Sequence, residues 1–135
     1  MRLAAVALGL LALSGCAQPG PPSACTAPLQ PALEINLYFG RDKPAGGEVS
    51  EAEWASFVNE SVTPHFPAGL SVFNVEGQFR DRLGRIVRER TKALVVVVFD
   101  SPAHVAKVTA ITEAYNLRFG QHSVFRVEHP VCAGL

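Results

Sequence analysis

Ala93-Leu94-Val95-Val96-Val97-Val98-Phe99 is an apolar run built mainly of β-branched residues. Such side chains suit extended backbone. With no polar residue in alternation, the run must be buried on both faces, so it reads as the centre of a sheet. Leu33-Glu34-Ile35-Asn36-Leu37-Tyr38-Phe39 behaves differently, with Leu33, Ile35, Leu37 and Phe39 on one face and Glu34, Asn36 and Tyr38 on the other. That alternation predicts a half-buried strand. Between the two lies a helix signal, the capping box Ser50-x-x-Glu53, followed by an apolar stripe of Trp54, Phe57, Val58 and Val62 that Pro64 and Pro67 bring to an end.

The central run is the second half of a long strand predicted over 85–99, which pairs with another over 70–80 through a turn at Asp81-Arg82-Leu83-Gly84. After Ser101-Pro102, apolar residues recur at Val108, Ile111, Tyr115 and Phe119, a helical spacing closed by Gly120. Ser123-Val124-Phe125-Arg126-Val127 supplies a last strand. The order β-α-β-β-α-β predicts an α+β, ferredoxin-like sandwich over residues 32–135, a four-stranded antiparallel sheet with two helices on one face. A swapped or dimeric sheet made of the same elements is the alternative.

Residues 1–15 read as an address. Arg2 precedes an apolar stretch from Leu3 to Leu13 that is too short to span a bilayer. Leu13-Ser14-Gly15-Cys16 resembles the bacterial lipobox, which implies cleavage before Cys16 and its acylation. Two or more acyl chains hold a protein stably at a membrane, and Ala17 is compatible with outer-membrane sorting in a two-membrane organism. Residues 16–31 contain Pro19, Pro21, Pro22, Pro28 and Pro31 and read as an extended tether. The expected location is the bacterial cell envelope, facing the periplasm or the exterior.

With Cys16 acylated, Cys25 and Cys132 remain, and an oxidising compartment favours a disulfide between them. The alternative is a metal site using Cys25 with His129-x-x-Cys132, for which no fourth ligand is evident.

Twelve Lys and Arg balance twelve Asp and Glu, so no global field directs the chain to nucleic acid, and no recognition motif does either. Arg80, Arg82, Arg85, Arg88, Arg90 and Lys92 form a basic run suited to phosphates or carboxylates of envelope lipids and polymers, or simply to a solvated hairpin. The open face of the sheet is expected to carry Glu34, Asn36, Tyr38, Asn74, Glu76, Gln78, Arg126 and Glu128. The third strand adds either Arg88, Arg90 and Lys92 or Glu89 and Thr91, since a one-residue slip in hairpin register exchanges its faces. Tyr38, Gln78, Arg88 and Glu89 are the candidate binding residues. His65, His104, His122 and His129 are scattered and read as surface or capping residues. No nucleophile elbow, phosphate loop or dinucleotide fingerprint is present, and no cofactor is expected. These features favour a non-catalytic binding or interaction module. Its partners would be membrane lipid through Cys16, a second copy of the chain, or an envelope protein, polymer or small ligand. The rival is a small cofactor-independent enzyme, of isomerase or oxygenase type, on a dimeric sheet.

Leu37-Tyr-Phe-Gly40, Val62-Thr-Pro-His-Phe-Pro-Ala-Gly-Leu70, Gly77-Gln78-Phe79, Arg88-Glu89, Tyr115, Phe119-Gly-Gln-His-Ser-Val124 and Pro130-Val-Cys132 together resemble the small bacterial lipoproteins grouped as domain of unknown function 3574. Phe79 stands where many members are expected to carry Trp, which keeps an aromatic ring and removes an indole donor. The resemblance implies an envelope location and carries no activity, cofactor or catalytic residue with it.

Overall fold

The computed structural model describes residues 25–99 and 102–135. The expected signal peptide, Cys16, most of the tether and Ser101 lie outside the described residues. Strands β1 (Gln30–Gly40), β2 (Ser71–Arg80), β3 (Ile86–Val98) and β4 (Phe125–Ala133) form one antiparallel sheet in the order β2-β3-β1-β4. Helices α1 (Glu51–Phe57) and α2 (His104–Phe119) complete the α+β fold. Each β-α-β unit is split by a strand of the other: β3 lies between β1 and β2, and β1 between β3 and β4. This is the ferredoxin-like arrangement expected from the element order.

Helix α1 starts at the capping box, with Ser50 Oγ accepting from Glu53 N and the Glu53 carboxylate accepting from Ser50 N. It runs on into one turn of π-helix, Val58–Val62, before the proline pair. Helix α2 ends on Gly120, whose positive φ of 69° lets the chain turn out of the helix. β1 and β4 are longer than the sequence pattern predicts. Gln30 pairs with Ala133 and Pro31 with Cys132, and β4 tolerates Pro130 because it is an edge strand.

Ile35, Leu37 and Phe39 face Val96, Leu94 and Lys92 across the β1–β3 ladder, and all but Lys92 enter the core. Over them lie Trp54, Phe57 and Val62 from the first helical segment and Val108, Ile111, Tyr115 and Phe119 from α2. The aromatic rings meet edge to face, Phe39 with Tyr115 at 4.7 Å and with Trp54 at 5.2 Å between centroids. Cys25 and Cys132 form a disulfide, Cα to Cα 5.6 Å, so neither thiol is free to ligate a metal. It joins the approach to β1 to the end of β4.

Candidate functional site: a cleft on the open sheet face

Residues directly opposite one another in an antiparallel ladder share a face. Leu94 belongs to the core and pairs with Val72, so the core-side residues of β2 continue as Asn74, Glu76 and Gln78, opposite Lys92, Arg90 and Arg88. On β4, Arg126 and Glu128 oppose Leu37 and Ile35 and lie on the core side too. The expected open face is therefore corrected: Glu34, Asn36 and Tyr38 belong to it, whereas Asn74, Glu76, Gln78, Arg126 and Glu128 do not. Of the two alternatives for β3, the structure selects Glu89 and Thr91.

The reason is the narrow cover given by two helices. β2 and β4 are edge strands, and their core-side residues reach past the helical layer into water, where polar groups are stable. The uncovered face instead adds large apolar residues to Glu34, Asn36, Tyr38, Glu89 and Thr91, with Phe125 68%, Phe73 54% and Phe79 49% exposed, joined by Val75, Val87, Val97 and Val127.

The four candidate residues accordingly separate. Arg88 Nε donates to Gln78 Oε1 at 2.9 Å on the core side of the hairpin. Tyr38 and Glu89 stand on the open face, where they line one cleft with a volume of about 1040 Å³. Its other walls come from Val75, Phe79, Val87 and Phe125, from the Asp42–Pro44 loop and from residues 121–123; Gln78 reaches its border. Tyr38 and Phe125 are cross-strand partners with ring centroids 5.8 Å apart.

Gly40 and Gly77 lower the floor. Gly77 pairs with Glu89 in the β2–β3 ladder. A Cβ on Gly40 would stand 2.7 and 2.8 Å from the two Glu89 carboxylate oxygens, so that carboxylate lies across the Gly40 backbone. Tyr115 fixes the same residue from the core side, its hydroxyl donating to Gly40 O at 2.9 Å. Burial raises the Glu89 pKa above its ordinary value; the nearby Asp42 charge adds to this, and a hydrogen bond from the Asp42 backbone opposes it.

Much of the basic run is spent on partners in the turn and on the core side of the hairpin. Arg85 meets Asp81, Arg90 meets Glu48, and Lys92, 3% exposed, donates to Glu51 and Asn74 at 2.6 Å each. Arg41, also buried, donates to Val49 O and Glu51. A cavity of about 190 Å³ beside these groups is bordered by Arg41, Glu51, Glu76 and Arg90, of which Arg41 and Glu51 pair with each other. Of the surface or capping role expected of His104, the surface position does not hold: it is 4% exposed at the first residue of α2, with Nε2 3.3 Å from Glu128. Among the described residues no group of three or more His, Cys, Asp or Glu is placed to hold a metal ion.

The sequence pointed to Tyr38 and Glu89 but missed Gly40 and Gly77 as floor residues and Phe125 as a wall. Gly77 inside the strand predicted over 70–80 was the available signal, since such a residue marks close approach by another group, whereas Gly40 fell just past the Leu33–Phe39 pattern.

No curated protein sequence matches the chain. Among solved structures, a phage SAM lyase in complex with S-methyl-5'-thioadenosine superposes with a TM-score of 0.58 at 13% identity, over 76% of this chain and 90% of that one. Its apo form gives 0.50 at 15% identity over the same shares. CutA from Synechococcus elongatus gives 0.49 at 12% identity, over 76% of this chain and 78% of that one. At these identities the likeness is one of fold. Residues 34–135, which hold all four strands and both helices apart from the first four residues of β1, match the family described as protein of unknown function DUF3574, and the chain belongs to that family.

Proposed function

We propose that the chain is a lipid-anchored, extracytoplasmic binding module whose ligand site is the cleft on the open sheet face. One observation carries the binding assignment: a half-buried carboxyl and exposed aromatic walls share a single cleft of about 1040 Å³. Ligand sites are typically concave and mainly apolar, with a few polar groups that fix orientation. The lipobox-like Leu13–Cys16 supports the anchor, and the Cys25–Cys132 disulfide suits an oxidising compartment. β1 begins at Gln30 near the disulfide and reaches the cleft at Gly40, a length of about 33 Å. In a chain held through Cys16, the cleft would thus lie at the end of β1 remote from the disulfide.

The binding reading is tested by titrating small aromatic compounds into the soluble chain 17–135, which retains every described residue and the disulfide. Amide resonances of Gly40, Gly77, Glu89 and Phe125 should shift together and saturably, and Gly77→Val should suppress the shifts, because a Cβ there already meets Thr91 Oγ1 at 3.0 Å. Shifts that never saturate, or that survive Gly77→Val, would overturn the cleft as the site. For the anchor, Cys16→Ser should leave an unlipidated precursor, and a mature, fully membrane-retained Cys16→Ser protein would refute it.

Glu89 also favours a second reading, a small cofactor-independent enzyme on a dimeric sheet. A carboxyl made less acidic by burial inside a cleft can act as a general acid or base. Phe73, Val97 and Val127 extend the apolar face beyond the cleft towards a second copy. Native mass spectrometry of the same chain reads the oligomeric state on which that alternative depends.

A further inference from the structure

The inference concerns the ligand of this cleft and rests on the cleft being the binding site. The fold supplies a cation to Glu48, Glu51, Glu53, Glu60, Asp81 and Glu128. Among the described residues Glu89 meets no cation. It is half-buried, its carboxylate lies on the Gly40 backbone, and Asp42 places a second negative charge near it. An uncompensated carboxylate withdrawn from water is unfavourable unless something pairs with it. The Tyr38–Phe125 ring pair stands one two-residue step along β1 from Gly40, about 7 Å away.

We propose that the cleft takes an amphipathic organic ammonium, with its cationic group over Glu89 and Gly40 and its apolar body against Tyr38 and Phe125. An N⁺–H group would give Glu89 the cationic partner that the fold withholds, in a charge-assisted hydrogen bond, while the rings cover the apolar body. A neutral ligand would leave the carboxylate unpaired, and an anion would add a third negative charge beside Glu89 and Asp42. Lys43 does not compete for Glu89, because it is held by Glu53 at 2.7 Å. Arg82 and His122 at the border are the groups that would recruit an anion instead, so the test includes one.

Three probes of similar shape, 2-phenylethylammonium, 2-phenylethanol and 3-phenylpropionate, are titrated into the disulfide-bonded chain 17–135 near neutral pH and followed at the Gly40 and Gly77 amides. The ammonium should bind tightest, by about tenfold over the alcohol. Glu89→Gln should remove about that factor for the ammonium and change the alcohol by less than about threefold. Ammonium affinity should also fall as pH drops through the Glu89 titration. Equal or tighter binding of the alcohol or the propionate, or an unchanged ammonium affinity in Glu89→Gln, would overturn the cation. The probe series in the unaltered chain decides this even where the variant is poorly folded. If none of the probes moves the two amides, the cleft reading fails with it; if the alcohol binds and charge makes no difference, only the cation does.

Discussion

Gly40 joins the core to the cleft within a single residue. Tyr115 holds its carbonyl from below, and the Glu89 carboxylate rests on it from above. Gly40→Ala should cost little stability, because the displaced group is the free end of a flexible side chain, but it should swing Glu89 away and abolish the ammonium preference in the probe titration. Tyr115→Phe should act in the opposite sense. It should lower stability by about 1 kcal/mol in denaturant titration, through the lost hydrogen bond to a carbonyl in a buried setting, while leaving the cleft lining unchanged. Glu89 itself has a readable sign. Its folded pKa is raised, so its contribution is favourable below the ordinary carboxyl range and is lost as pH rises through the raised value. Glu89→Gln should therefore match the unaltered protein in acid and be the more stable of the two at neutral pH. A loss of stability at neutral pH would show that Glu89 serves the fold and not a ligand.

Among the elements, α1 was the most legible in sequence, because Ser50-x-x-Glu53 is a local chemical unit whose bonds need no distant partner. Lys43 adds a distant partner to it. Its ammonium, then the Ser50 backbone and hydroxyl, bring the Glu53 pKa down from 4.5 to about 2. A depressed carboxyl contributes stability above its ordinary pKa and loses it as pH falls towards the folded value. The difference in thermal midpoint between the unaltered protein and Glu53→Gln should thus be constant near neutrality and close between pH 4.5 and about 2. Ser50→Ala should lower stability by about 1 kcal/mol at neutral pH. The edge strands were legible as strands but not in their facing. Alternation says that two sets of side chains point opposite ways, and polarity assigns the sides only where one of them is covered. For β2 neither side is well covered, so Asn74, Glu76 and Gln78 gave a false direction and Phe73, Val75 and Phe79 fell on the face thought to be polar.

At the scale of the whole molecule the order of elements carried the topology, since two split β-α-β units can share one sheet in few ways, and the Cys25–Cys132 bond follows from the resulting neighbourhood of β1 and β4. The cleft was not legible at this scale, because it depends on what two glycines omit and on the register that sets Glu89 between them. The disulfide and the cleft sit at opposite ends of β1, and that separation has a measurable consequence. Cys25 and Cys132 are 107 residues apart, and closing so large a loop stabilises the fold by about 4–5 kcal/mol in the chain-entropy account, with real gains often smaller. The double variant Cys25→Ser, Cys132→Ser should therefore unfold at lower denaturant concentration with its folding cooperativity intact. Below that transition, however, its cleft residues remain tied through all three ladders, Tyr38 to Ala93 and to Phe125 and Gly77 to Glu89. Probe affinity measured under native conditions should then equal that of the disulfide-bonded chain. A weakened affinity together with the lowered stability would mean that the disulfide end of the sheet sets the shape of the cleft, through the β1–β4 ladder that runs from Pro31 and Cys132 to Tyr38 and Phe125.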